Sequence, residues 1–307
     1  MKEYSLNKLT LIGKGGVGYI YRINDEQIIK VFNHITIQKL EERKLWAREL
    51  FKAGVPTAIS FETAIVGDQY GIVYELLHSK TVGQQLIENP EKMEQSGIKM
   101  GNLLKTIHSC KINAPKAKKI KHMIVQWAEI GKAHGLFTTK DIRVIKKILA
   151  AVPDTNTVLH CDFHEGNVMM QNGEYILIDI DDSCVGHPLF DLTLHYLNHE
   201  VLSHRPDLMI ALQGITPKIS KSMAKLTREC YFRDMEPEKA KLYIKLSKAL
   251  LPLMMAVSSV RAIESSELMN EQNRKIVKYV EIPALHLSQN NVIKNLNKLR
   301  QLESEAL

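Results

Sequence analysis

The chain has 307 residues, 45% of them apolar and 24% charged, which excludes a disordered or fibrous protein and allows one large core or two modest ones. Its net charge of +7 and pI near 9.0 suit a phosphate-rich ligand, but equally a nucleic acid or an acidic membrane face, so charge alone selects no partner. Four cysteines (Cys110, Cys161, Cys184 and Cys230) lack the paired spacing of a disulfide framework or a zinc site. The N-terminus has no apolar signal core, and the longest apolar run, 249–257, is interrupted by Pro252. The expected home is a reducing cytoplasm. The basic cluster Lys116, Lys118, Lys119 and Lys121 reads as a solvated helix start.

In chain order, segments 9–12, 19–23 and 27–32 are short and rich in β-branched or aromatic residues, which predicts strands. A helical pattern covers 36–52 and stops at Ala53-Gly54-Val55-Pro56. Two further strands are expected at 58–66 and 70–75, turned by Gly67-Asp68. Beyond Ser79 the pattern predicts helices near 91–108, 119–133, 139–151, 188–204, 218–232, 236–263 and 271–300. Strand-like pieces between Thr157 and Asp181 interrupt them. The expected domains are a strand-rich lobe, 1–79, and a helical lobe, 80–307, which carries a polar hairpin at 157–181 and acceptor-binding helices. No internal repeat is present.

Gly13, Gly15 and Gly18 stand in G-x-G-x-x-G spacing, a weak signal by itself. A dinucleotide fold needs a helix at the last glycine, but Tyr19-Ile20-Tyr21 follows; a Walker A loop needs Lys-Ser or Lys-Thr there. A strand, glycine loop and strand instead form a hairpin whose N–H groups can lie over phosphates. Lys30, in the next apolar strand, fits the lysine that holds the α- and β-phosphates. Such a lysine needs a carboxylate to fix it. Glu42 is the expected partner, because Leu45 and Trp46 place apolar residues on its face, with Glu41 as the alternative.

The segment Leu159-His160-Cys161-Asp162-Phe163-His164-Glu165-Gly166-Asn167 is the most informative. Asp162 and Asn167 have the spacing of a catalytic loop whose aspartate accepts a substrate proton and whose asparagine binds metal. Asp179 ends an apolar strand, where a carboxylate is costly unless it meets a cation, and with Asn167 it supplies hard oxygen ligands for Mg²⁺. A metallohydrolase built from His160, Asp162, His164, His187, His195, His199, Asp179 and Asp191 is the rival chemistry. It leaves the glycine loop, Lys30 and Asn167 without a role, and His160 is expected to pack beneath the catalytic loop.

These motifs, with the hinge-like Val73-Tyr74-Glu75-Leu76-Leu77 and the runs Ile178-Asp179-Ile180-Asp181 and Gly186-His187-Pro188-Leu189-Phe190-Asp191-Leu192, resemble the aminoglycoside phosphotransferase and choline kinase superfamily. The resemblance implies an α+β, two-lobed protein-kinase-like fold, with a small N-terminal antiparallel sheet lobe bearing one helix and a larger, mainly helical C-terminal lobe. It implies ATP and Mg²⁺ as cofactors and transfer of the γ-phosphate to a small-molecule hydroxyl, with no nucleic acid and no membrane as partner. Carried over, Asp162 is the catalytic base, Asn167 and Asp179 are the metal ligands, and Lys30 binds phosphates. The backbone of Glu75 and Leu77 pairs with adenine, Asp181 is a further candidate at the metal, and Asp191 is a structural aspartate. Cys161 stands where many relatives have glycine, and a small core thiol is its expected role. Only eleven residues separate Asp179 from Asp191, too few for a protein kinase's long activation segment. A nucleotide-binding pseudokinase is the alternative from another class. Residues 195–307 carry more basic than acidic residues, which weakens an aminoglycoside acceptor and leaves sugars and amino alcohols open, and Arg261 reads as a satisfied structural arginine.

Overall fold

The computed structural model describes residues 1–15, 18–115, 117–264 and 271–305. Gly16 and Val17 of the glycine motif, and Lys116, lie outside the described residues. The chain forms two compact units: residues 1–92 with 165–182, and residues 93–164 with 183–307. The units therefore do not divide at Ser79. Residues 80–92 and the segment 165–182 cluster with the strand-rich unit.

In the first unit, β1 (Lys2–Tyr4), β2 (Thr10–Gly15), β3 (Gly18–Arg22), β4 (Gln27–Phe32), α1 (Ile37–Lys52), β5 (Ser60–Val66), β6 (Gln69–Glu75) and α2 (Val82–Glu88) follow in order. One six-stranded sheet runs β1-β5-β6-β4-β3-β2. It is antiparallel except at β1, a strand not expected from the sequence, which pairs in parallel with β5. Strand alternation decides what Lys30 meets. Ile29 and Val31 of β4 enter a core with Ala64, Val66 and Val73. Phe32 joins Leu40 of α1 and Ile72 of β6 in a second cluster. Lys30, paired with Ile72 across the sheet, shares the face of Phe32. The Thr36 hydroxyl caps α1 by accepting from Lys39 N–H, and Gly54 takes the positive φ of 86° that ends it.

The second unit contains α3 (Met93–Ser109), α4 (Ile120–Ala133), α5 (Thr139–Ala151) and β7 (Val158–Leu159). The chain then returns to the first unit for β8 (Val168–Gln171) and β9 (Glu174–Leu177), a hairpin turned at Asn172-Gly173 with φ of 53° and 86°. The second unit resumes with β10 (Cys184–Val185), antiparallel to β7, and α6 (Leu189–Tyr196). After these come α7 (Pro206–Gln213), α8 (Pro217–Phe232), α9 (Pro237–Ala249), α10 (Leu251–Glu264), α11 (Glu271–Ile276) and α12 (Ile282–Ser304). The helix expected over 236–263 is two helices bent by 43°. Pro252 lies at their junction, where its missing N–H and its ring are tolerated. The helix expected over 188–204 gives way to a π-helical stretch, Leu197–Val201. α3 and α8 approach closely: a Cβ on Gly101 would lie 2.7 Å from the Thr227 carbonyl oxygen. Among the described residues no single helix is long and apolar enough to cross a membrane.

Candidate active site

In the first unit, β2 and β3 pair antiparallel as the two arms of the predicted hairpin, with Gly15 opposite Gly18. Gly18 is required by the sheet itself, since a Cβ there would sit 1.9 Å from the Val31 carbonyl oxygen. Gly13 and Gly15 are different: an added Cβ would meet nothing closer than 3.5 Å.

Lys30 Nζ lies 2.8 Å from Asp179 Oδ1 and 2.6 Å from Asp181 Oδ2. Burial opposes the charge on Lys30, but the carboxylates of Asp181 and Asp179 outweigh it and raise the ammonium's pKa. Arg43 Nη1 also lies 3.0 Å from Asp181 Oδ2, and both cations rest on the Phe32 ring, at 4.6 Å for Arg43 and 5.5 Å for Lys30. Burial, then Asp181 and Asp179, raise the pKa of the Tyr74 phenol.

This arrangement corrects the expected partner of Lys30. Glu42 is exposed and accepts from Gln38 Nε2 at 3.2 Å, while Glu41 accepts from Thr63 Oγ1 at 2.7 Å. The premise for Glu42 fails at Leu45, which is 50% exposed and marks the outer face of α1. Successive helix positions differ by about 100°, so the face toward Asp181 belongs to Arg43.

The β8–β9 hairpin brings the candidate metal ligands into register. Val168 pairs with Leu177, and Ile178 N–H donates to the Asn167 carbonyl at 2.9 Å, so Asp179 follows directly on the residue facing Asn167. Asp179 has φ of 55°, a left-handed conformation that aspartate adopts more readily than most residues. Both residues offer hard oxygens, and Asp179 Oδ1 already faces a cation, so the donor set fits a magnesium ion. At the hinge, Glu75 N–H and Leu76 N–H are used by Ile59 and Glu26. Leu77 lies just past the sheet pairing.

In the second unit, the loop after β7 carries Asp162. Its backbone is held by Asp191 of α6, whose carboxylate accepts from His160 N–H at 2.8 Å and Cys161 N–H at 2.7 Å. His108 Nε2 lies 3.1 Å from the same carboxylate, and its Nδ1 lies 2.8 Å from the Tyr231 hydroxyl, so the closely packed α3 and α8 brace the loop from behind. His160 accepts from Asp162 N–H at 3.2 Å and packs edge-on against Phe163. Cys161 has φ of 66°, and its buried Sγ lies 3.3 Å from Cys184 Sγ.

The Asp162 side chain is 43% exposed. Its Oδ1 accepts from Asn198 Nδ2 at 3.0 Å, and His164 Nε2 lies 3.5 Å from Oδ2. Desolvation opposes its charge, but His164, His160 and Asn198 outweigh that and hold its pKa well below the usual carboxylate range. Asn198 was not anticipated, since an asparagine inside a helical pattern carries no local signal. His195 is buried, its ring nitrogens have no hydrogen-bond partner among the described residues, and burial pushes its pKa down to about 3. His199 bonds Ser220 Oγ at 2.8 Å, and His187 bonds Glu303 at 3.1 Å. Among the described residues no three His, Cys, Asp or Glu side chains group to hold a metal ion, so the rival metallohydrolase site is not assembled.

The model of the phosphotransferase enzyme family matches residues 8–214. No sequence among curated proteins matches the chain. Among solved structures, the chain is similar to a choline/ethanolamine kinase family protein from Mesorhizobium loti, with TM-score 0.60, 15% identity, and coverage of 94% of this chain and 92% of that one. It is similar to the streptomycin–ATP–APH(2")-IIa ternary complex, with TM-score 0.53, 16% identity and coverage of 94% and 93%. The macrolide 2'-phosphotransferase MphH from Brachybacterium faecium gives TM-score 0.52, 12% identity and coverage of 90% and 93%. At these identities the likeness is one of fold. The family match spans the glycine loop, Lys30, the Asp162 loop and Asp179 together, and the chain belongs to the phosphotransferase enzyme family.

Proposed function

We propose that the protein is an ATP-dependent kinase that transfers the γ-phosphate to a hydroxyl of a small molecule, with Asp162 receiving the hydroxyl proton. The observation that carries this reading is Asp162 itself, a half-exposed carboxylate kept anionic by His164 and Asn198. Asp162 orients the acceptor hydroxyl; as that oxygen bonds to the γ-phosphorus, its proton passes to the carboxylate and ADP leaves with the bridging oxygen. Mg²⁺, when bound, would supply positive charge against the phosphates. Asn167 and Asp179 are the residues we assign to hold it. Lys30 is assigned to the α- and β-phosphates, and the backbone of Glu75 and Leu77 to adenine. The roomy sites at Gly13 and Gly15 support a loop lying over phosphates, because packing within the protein does not demand a glycine at either.

The small molecules in the names of the similar structures, choline or ethanolamine, streptomycin and a macrolide, are chemically unrelated, and fold alone selects none of them. The test is magnesium-dependent ATP consumption against a panel of amino alcohols, sugars and aminoglycosides, with Asp162→Asn as the blank. Acceptor-dependent turnover lost in the variant is the expected result. ATP binding with no turnover on any acceptor would favour the pseudokinase.

A further inference from the structure

Asn198 is held in place by a break in helical geometry. In an α-helix its carbonyl would accept from the N–H of Leu202, four residues on. Here Leu202 N–H donates to the Leu197 carbonyl, five residues back, and the buried Gln213 amide donates to the Asn198 carbonyl at 3.0 Å. A π turn inserts a residue into the helix and re-aims its side chains, a device common at functional sites. The re-aimed amide donates to Asp162 Oδ1 at 3.0 Å. An anionic carboxylate only accepts, so the amide must present its NH₂.

We infer that Asn198 is a positioning residue for Asp162: its bond at Oδ1, with His164 on the Oδ2 side, fixes the plane in which the carboxylate meets the acceptor hydroxyl. This rests on the reading of Asp162 as the base. Titratable groups acting on Asp162 include His164 and His160, with His199 close enough to be influenced by its charge. Those imidazoles remain in the variants below. Losing the amide raises the pKa of Asp162, because a hydrogen bond to the charged form has gone.

The experiment measures kcat, acceptor KM and the pH profile of kcat for wild type, Asp162→Asn, Asn198→Leu and Asn198→Asp, with thermal unfolding to verify folding. Asn198→Leu keeps the volume without the donor, and Asn198→Asp keeps the shape with a like charge. Expected are a fall in kcat of about tenfold or more, an acceptor KM changed by less than about threefold, and an acid limb moved up by roughly one pH unit, further in Asn198→Asp. If Asn198→Leu does not fold, Asn198→Asp decides. An inactive Asp162→Asn beside folded Asn198 variants with an unchanged kcat overturns the positioning role. An active Asp162→Asn overturns the assignment of the base instead.

Discussion

The two charged centres are built on opposite principles. In the first unit, Lys30 and Arg43, both over the Phe32 ring, face Asp179 and Asp181, two cations against two carboxylates. In the second unit, the Asp162 carboxylate is held by an amide and an imidazole. A set of charges that cancel one another can exchange partners when a phosphate and a metal ion arrive, since each departing charge finds a replacement of the same sign. A carboxylate held by hydrogen bonds keeps its own charge, which is what a proton acceptor requires. On the proposed function, the first centre would receive ions and the second would receive a proton.

The comparison breaks most directly at Asp162. Asp162→Asn should lower kcat by about a thousandfold while leaving thermal unfolding close to that of wild type, because the amide keeps the shape. Turnover near the wild-type rate, with contamination excluded, would remove Asp162 from the mechanism. Lys30→Ala tests the ionic centre. It leaves Asp179 and Asp181 with Arg43 as their remaining cation from this cluster, and kcat/KM for ATP should fall roughly a hundredfold. An unchanged ATP dependence would mean that Lys30 serves only the carboxylates.

Glu303 sharpens the comparison with another carboxylate held largely by hydrogen bonds. Against the cost of burial, His187 and Tyr243, with Lys239 behind them, hold its pKa down to about 2. The ordinary value is 4.5, so this contribution to stability is complete above that pH and is lost as pH falls toward 2. Glu303→Gln should therefore cost about 1–3 kcal/mol at neutral pH and flatten the loss of stability between these limits. Denaturant unfolding at stepped pH measures both, and an equally steep acid dependence would locate the sensitivity elsewhere. The smallest effect is expected at Cys161. Its φ of 66° suits glycine, and its thiol meets the buried thiol of Cys184. Cys161→Gly should keep turnover within about twofold, the relieved strain offsetting the lost packing of roughly 1 kcal/mol.

Much of the fold was legible because its signals are local. The strand at 27–32 coincides with β4, and Ala53-Gly54-Val55-Pro56 ends α1 as its glycine and proline require. β1 escaped notice because three residues at a sheet edge show no period, and α2 and α7 because each has only about two turns. The bend between α9 and α10 was visible as Pro252, but the apolar pattern continued through it and suggested one helix.

The amino-acid sequence by itself determined the parts whose geometry is set within one turn or hairpin: the glycine loop, the spacing of Asp162 from Asn167, and Asp179 at a strand end. Only the tertiary structure decided which charges meet. Lys30 pairs with residues about 150 positions away, and one step along α1 separates the exposed Glu42 from Arg43 at Asp181. Asn198 reaches Asp162 because a π turn, latched by Gln213, departs from the helical period. Local backbone preferences are encoded residue by residue, whereas the partner of a side chain depends on which faces pack together, and no single segment contains that information.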